Sequence, residues 1–253
     1  MDCRIRGFGA CMIGGFPYGY EDSFFYHALE CLRRESTHNV IPSIFTLGGF
    51  PITRAAKYLQ PKCLTAQPDI VVLQFATCDL IVPTRRKSNS QGGWVSSSQR
   101  KTSVNLPNLL DWLRWHLQGL VGDVLRLSPI TPPEVYVETM NQLARMVLDH
   151  QVVPVVLSPF VFGARRADRF AREVNGQLQQ LLATLPNAVY VDAYSALNRY
   201  PRWRMLLHDG WHLSLEGHRV VAETLFAGLK NIVENQAWFL KISDGQICKS
   251  HDQ

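Results

Sequence analysis

The chain has 253 residues, 46% of them hydrophobic, with a formal net charge of +5. That length and apolar fraction suit one sizeable α/β domain with a full core. The mild positive charge is not gathered into the face or stripe that a nucleic-acid binder uses, and no segment approaches the roughly 18 apolar residues needed to cross a bilayer. Its clearest basic cluster, Arg85, Arg86, Lys87, Arg100 and Lys101, lies in a Ser/Gly-rich stretch. That cluster reads as a solvated loop, with a docking patch for an acidic partner as the sharper alternative. The first residues lack the charged region, apolar run and cleavage site of a secretory signal. The six cysteines, Cys3, Cys11, Cys31, Cys63, Cys78 and Cys248, show no CxxC and no regular spacing. Free thiols in a reducing, cytoplasmic setting are the expectation.

In chain order, Cys3 to Phe8 reads as a first strand. Ser23 to Arg34 has helical spacing, with Phe24, Phe25, Ala28, Leu29 and Leu32 as its apolar stripe. Val40 to Leu47 is a second strand ending at Gly48-Gly49, and Thr53 to Leu59 is a short helix. Asp69 to Phe75 is a nearly continuous apolar run, as expected of a strand buried on both faces of a parallel sheet. Residues 84–105 are a polar interruption, followed by an aromatic amphipathic helix over Leu109 to Leu127. Pro132-Pro133-Glu134 is a helix start, since proline fits the first helical turn, and that helix runs to about His150. Val152 to Leu157 is a fourth strand, Arg165 to Leu185 a helix, Ala188 to Val191 a fifth strand and Leu215 to Val233 the last helix. There is no internal repeat. Alternating strands and helices predict a parallel sheet covered on both faces, with ligands outside the carboxyl ends of the strands.

Gly9-Ala10-Cys11, Gly48-Gly49 and Ala76-Thr77-Cys78-Asp79 each follow a strand and so converge on that edge. Near the other end of the chain stands His208-Asp209-Gly210-Trp211-His212, leading into the last helix. A nucleophile placed early and an Asp-x-x-His pair placed late point to nucleophilic acyl transfer. Taken alone, Cys11 also reads as a buried small apolar residue, and His212 as a satisfied histidine at a helix start. His208 and His218 read as surface or structural.

These segments resemble the SGNH, or GDSL, hydrolase family over roughly residues 3–230. The resemblance implies a single domain over 1–253 with a flavodoxin-like, three-layer α/β/α fold and a five-stranded parallel sheet. It also implies a loop-plus-helix insertion at about 81–131. In the family's first block, Gly-Asp-Ser, the serine is the nucleophile; here Cys11 falls on it and Ala10 replaces the aspartate. Gly48 or Gly49 falls on the glycine whose backbone N–H helps bind the oxyanion. In the Gly-x-Asn-Asp block Cys78 replaces the asparagine donor. The Asp-x-x-His block is intact as Asp209 and His212.

The implied chemistry is cysteine-dependent acyl transfer, or thioester and ester cleavage, through a covalent acyl-Cys11. His212 is the base and Asp209 the carboxylate that orients it. The oxyanion site comprises Cys11, Gly48 or Gly49, and Cys78. A thiol is only a weak donor, and losing one oxyanion donor costs roughly 3–4 kcal/mol, so ordinary ester hydrolysis should be poor and acyl transfer favoured. The competing reading is a degenerate member that binds an acyl or glycan ligand without turnover. Cys11 and Cys78 in one pocket also admit a redox-sensitive disulfide. The thiols and histidine are too scattered for a metal-type spacing, so neither metal nor cofactor is expected. Trp211, Asp79, Trp112 and Arg165 are candidate pocket residues. Trp112 belongs to a helix that could lie over the edge as a lid or as a dock for a carrier-protein arm. The expected partner is an acyl ester or thioester, free or carrier-bound; the oligomeric state is left open.

Overall fold

The computed structural model describes residues 2–75, 77–80, 128–160, 165–207 and 211–234, with backbone alone at 77, 165 and 166. Five parallel strands form the sheet: β1 (Asp2–Gly9), β2 (Asn39–Thr46), β3 (Ile70–Gln74), β4 (Val153–Leu157) and β5 (Val189–Val191). Their spatial order is β2-β1-β3-β4-β5. The register pairs Gly9 with Thr46 on one side and with Gln74 on the other. The three segments that follow β2, β1 and β3 therefore leave the sheet side by side. β3 and β4 are buried along their whole length, which explains their unbroken apolar sequences.

Helices cover the sheet as α1 (Phe24–Glu35), α2 (Ala56–Lys62), α3 (Thr77–Leu80), α4 (Pro133–Asp149), α5 (Arg165–Leu182), α6 (Ala193–Leu197), α7 (Arg202–Met205) and α8 (Leu215–Glu234). α1 packs against α8, and α4 against α2 and α5. The result is the expected three-layer α/β/α arrangement. Ser23 caps α1 by accepting the Tyr26 N–H at 3.0 Å. Phe24, Phe25, Ala28, Leu29 and Leu32, the stripe read from the sequence, are all buried.

Two differences from the sequence reading have local causes. The helix expected over Thr53–Leu59 is split into a 3-10 turn at Ile52–Arg54 and α2. Pro61, lacking an N–H, weakens its end, and α2 stops at Lys62. The helix expected to reach Leu185 ends at Leu182. α6 and α7, of 5 and 4 residues, are too short to show a helical period. The helix read over 109–127 and most of the insertion fall outside the described residues.

Candidate active site

Cys11 is placed by the end of β1. Gly9 lies so close to β3 that a Cβ there would stand 2.0 Å from the Gln74 carbonyl oxygen. Only glycine permits that approach. The next residue uses it: the Ala10 N–H donates to the same oxygen at 2.8 Å. The chain then turns at once into a 3-10 helix, Cys11–Gly14, with Met12 and Ile13 packed into the core. Cys11 sits at the start of that turn, 8% exposed, so its sulfur is fixed by strand and core together.

His212 is placed from the other end of the chain. Leu206 and Leu213 form an antiparallel bridge. The Leu207 N–H donates to the His212 carbonyl at 2.8 Å, and the Ser214 N–H to the Met205 carbonyl at 2.9 Å. Ser214 then accepts the Gly217 N–H at 3.0 Å, opening α8. His212 is thus clamped between a bridge and a helix start. Its Nε2 lies 3.6 Å from Cys11 Sγ, across 201 residues of sequence. That is within hydrogen-bond range for sulfur and brings together a nucleophile and a base.

The thiols divide by environment. Burial pushes Cys3 and Cys63 up to about 12, so both are inert packing groups. Cys11 goes the other way and is held well below the ordinary thiol range. The largest cause is a hydrogen bond from the Cys78 side chain. Burial opposes it, and the bond and charge of His212 add to it. Cys78, the donor, is correspondingly raised. Cys78 is half-buried on α3. Its thiol therefore acts on the sulfur of Cys11 and favours the thiolate form there.

The glycine pair after β2 separates in the structure. The Leu47 N–H donates to the Gly9 carbonyl at 2.8 Å, carrying the β2–β1 pairing into the loop. Gly48 is buried with φ at 59°, the left-handed region that favours glycine, whereas Gly49 is exposed.

Asp79, read from the sequence as a pocket residue, is fully buried and offers no surface to a ligand. Its Oδ1 accepts the Ile52 N–H at 2.8 Å and the Thr131 hydroxyl at 2.7 Å, and its own carbonyl accepts the Thr131 N–H at 2.9 Å. It pins α3, and with it Cys78, to the segment after Gly48 and to the start of α4. Burial raises its carboxyl to about 6 against the pull of both hydrogen bonds. Trp211 is half-buried beside His212 in the chain. Asp209, His208 and Trp112 fall outside the described residues, as does the side chain of Arg165, the first residue of α5. Among the described residues no group of three His, Cys, Asp or Glu side chains is arranged to hold a metal, and no helix is long and apolar enough to cross a membrane.

Phe16 escaped the sequence reading, while His218, read as surface or structural, takes a structural place. His218, on the first turn of α8, is fully buried, accepts the Phe24 N–H at 3.1 Å and is kept neutral by burial, which lowers it to about 3. It ties α8 to α1 beneath the site. Phe16 lies with its ring 4.7 Å from the His212 ring, centroid to centroid. An aromatic directly after Gly14-Gly15, closing the nucleophile turn, was the available signal.

Residues 16–220 match the model of the GDSL-like Lipase/Acylhydrolase family. The match includes His212 and begins after Cys11. No curated protein matches the chain. Among solved structures, a lipase/acylhydrolase from Enterococcus faecalis superposes with a TM-score of 0.63 at 14% identity, covering 90% of this chain and 96% of that one. A catalytic mutant of an acetylxylan esterase from Geobacillus stearothermophilus gives 0.59 at 13% identity, over 90% and 95%. The psychrotrophic esterase EstA from Pseudoalteromonas sp. gives 0.59 at 9% identity, over 92% and 100%. These likenesses concern the fold.

Proposed function

We propose, from the premise that this chain belongs to the GDSL-like lipase/acylhydrolase family, that it transfers or cleaves acyl groups through a covalent thioester on Cys11. The observation that carries the reading is the 3.6 Å approach of His212 Nε2 to Cys11 Sγ, beside a second thiol that stabilises the thiolate. The thiolate attacks the acyl carbonyl. His212 delivers a proton to the departing alcohol, thiol or amine, and later takes one from the incoming acceptor. Asp209 holds the imidazole in the correct tautomer.

The oxyanion that forms on the acyl group meets the backbone N–H groups of Cys11 and Gly48. Gly48 is preferred over Gly49 because its amide belongs to a buried, conformationally restricted turn. Cys78 is the third donor. Its S–H stabilises the free thiolate and is released to the oxyanion once Cys11 is acylated. As a weak donor it favours activated thioesters over plain oxygen esters, so the physiological donor is an acyl thioester, free or on a carrier protein. The chemistry needs Cys11 as a free thiol and so a reducing compartment such as the cytoplasm.

The test is partition of the acyl group. With an acyl thioester donor, purified protein should pass the acyl group to added amine or thiol acceptors faster than to water. The Cys11→Ala variant should be silent. Rapid turnover of simple oxygen esters with no acceptor dependence would refute the transferase reading. Tight ligand binding without any turnover would favour a non-catalytic binder.

A further inference from the structure

Phe16 is an aromatic side chain left 41% exposed at the one place where the reaction needs a leaving group to rest. Its ring centroid lies 4.7 Å from that of His212, with the planes tilted by 57°. Its own N–H donates to the Cys11 carbonyl at 3.3 Å. The backbone of Phe16 is therefore tied to the nucleophile and its ring to the base. Single exposed apolar side chains are ordinary on a protein surface, and position is what distinguishes them. This one is held partly open beside two reacting groups.

The geometry of acyl transfer divides a substrate into parts with fixed neighbours. The carbonyl oxygen must point to the hydrogen-bond donors. The leaving atom must lie within hydrogen-bond reach of His212 Nε2, because that nitrogen supplies its proton. Whatever group the leaving atom carries therefore lies beside the imidazole, and among the described residues Phe16 offers an exposed apolar surface there. Resting on the acyl-Cys11 reading, we infer that Phe16 is a specificity-determining platform for the leaving group, selecting donors whose departing alcohol or thiol bears an aryl or similarly flat apolar face. It acts on the leaving group and leaves the choice of acyl chain to other residues. Ring-on-ring packing of this kind adds discrimination beyond buried area.

The experiment measures single-turnover acylation of Cys11, by intact-protein mass, for wild type, Phe16→Ala and Phe16→Leu. One donor series holds the acyl group at acetyl and varies the leaving group: thiophenol, ethanethiol and an acetylated 1-thioglucose. A second series holds the leaving group at ethanethiol and lengthens the acyl chain. Each result is read as the ratio of variant to wild type, so the intrinsic reactivity of the leaving group cancels. Phe16→Ala should lose roughly threefold to tenfold with the aryl donor and stay near parity with the ethyl donor. Phe16→Leu, which keeps apolar bulk, should fall between. The acyl-length series should show a constant ratio.

Equal losses for every leaving group would mean that Phe16 merely packs His212, and would overturn the inference. So would unchanged rates. A loss with the sugar donor as large as with the aryl donor would overturn the assigned leaving-group class. A wild-type protein that forms no adduct with any donor would sink the acyl-Cys11 reading itself, and is distinguished by its silence before any variant is compared.

Discussion

Gly9→Ala tests the link between strand packing and the position of the nucleophile. The added Cβ would stand 2.0 Å from the Gln74 oxygen, 2.9 Å from its carbonyl carbon and 3.2 Å from its Cβ. The nearest of these is backbone of a central strand and cannot swing aside. Reaching even 3.0 Å requires about 1 Å of added separation between β1 and β3, a distance at which over-packing costs about 1–3 kcal/mol. The shift also stretches the 2.8 Å bond from Ala10 to Gln74, worth about 1 kcal/mol. A destabilisation of roughly 2–4 kcal/mol follows, out of the 5–15 kcal/mol typical of a domain. In a chain of this size that lowers Tm by roughly 5–15 °C. The same displacement reaches Cys11 two residues on, and a misplacement of about 1 Å costs on the order of 100-fold in rate. Denaturant unfolding and the rate of Cys11 acylation measure the two effects separately. A variant within about 0.5 kcal/mol of wild type and equally fast to acylate would refute the argument that Gly9 sets the position of Cys11.

Three further outcomes follow from the same geometry. In Cys78→Ala the Cys11 thiolate loses its largest stabiliser, so the midpoint of its alkylation-versus-pH curve should rise toward the roughly 8.5 of a free thiol; an unmoved midpoint contradicts the assigned role. Treatment with a peroxide should oxidise the Cys11 thiolate to the sulfenic acid, which the Cys78 thiol then displaces with release of water to leave a disulfide. Acylation should stop and return with dithiothreitol, and peptide mapping that finds no Cys11–Cys78 link would reject the contact. Asp79 has its carboxyl raised from 3.8 to about 6 by burial, so its contribution to stability is present at low pH and is lost as pH rises through about 6. Asp79→Asn keeps an oxygen acceptor for Ile52 and Thr131 without the charge, and should remove up to roughly 3 kcal/mol of the stability lost between about pH 4 and 8. An undiminished pH slope in the variant would show that another group causes it.

The sheet was legible because its strands carry their burial in sequence. The run Ile70–Gln74 is buried at every position, and strands of that kind need no partner to be recognised. The convergence of Cys11, Gly48 and Cys78 was legible through the rule that parallel strands present their carboxyl ends together. The burial of Asp79 was not legible, because a carboxylate one residue from a site thiol carries no sign of which way it faces. Its partners Ile52 and Thr131 lie 27 and 52 residues away. Phe16 was missed for a related reason. An aromatic residue after two glycines reads as part of a turn, and its contact with His212 spans almost the whole chain. Gly48 and Gly49 differ in burial and backbone angle, which residue type alone does not give.

The proposed function stands on covalent acylation of Cys11 with His212 as its base. It is tested most directly by intact-protein mass after mixing with a panel of short and long acyl thioesters, under reducing and metal-free conditions, for wild type, Cys11→Ala and His212→Ala. Wild type should gain the mass of the acyl group, Cys11→Ala should gain none, and His212→Ala should form the adduct more slowly. No adduct with any donor, or an adduct that survives in Cys11→Ala, would contradict the proposed function.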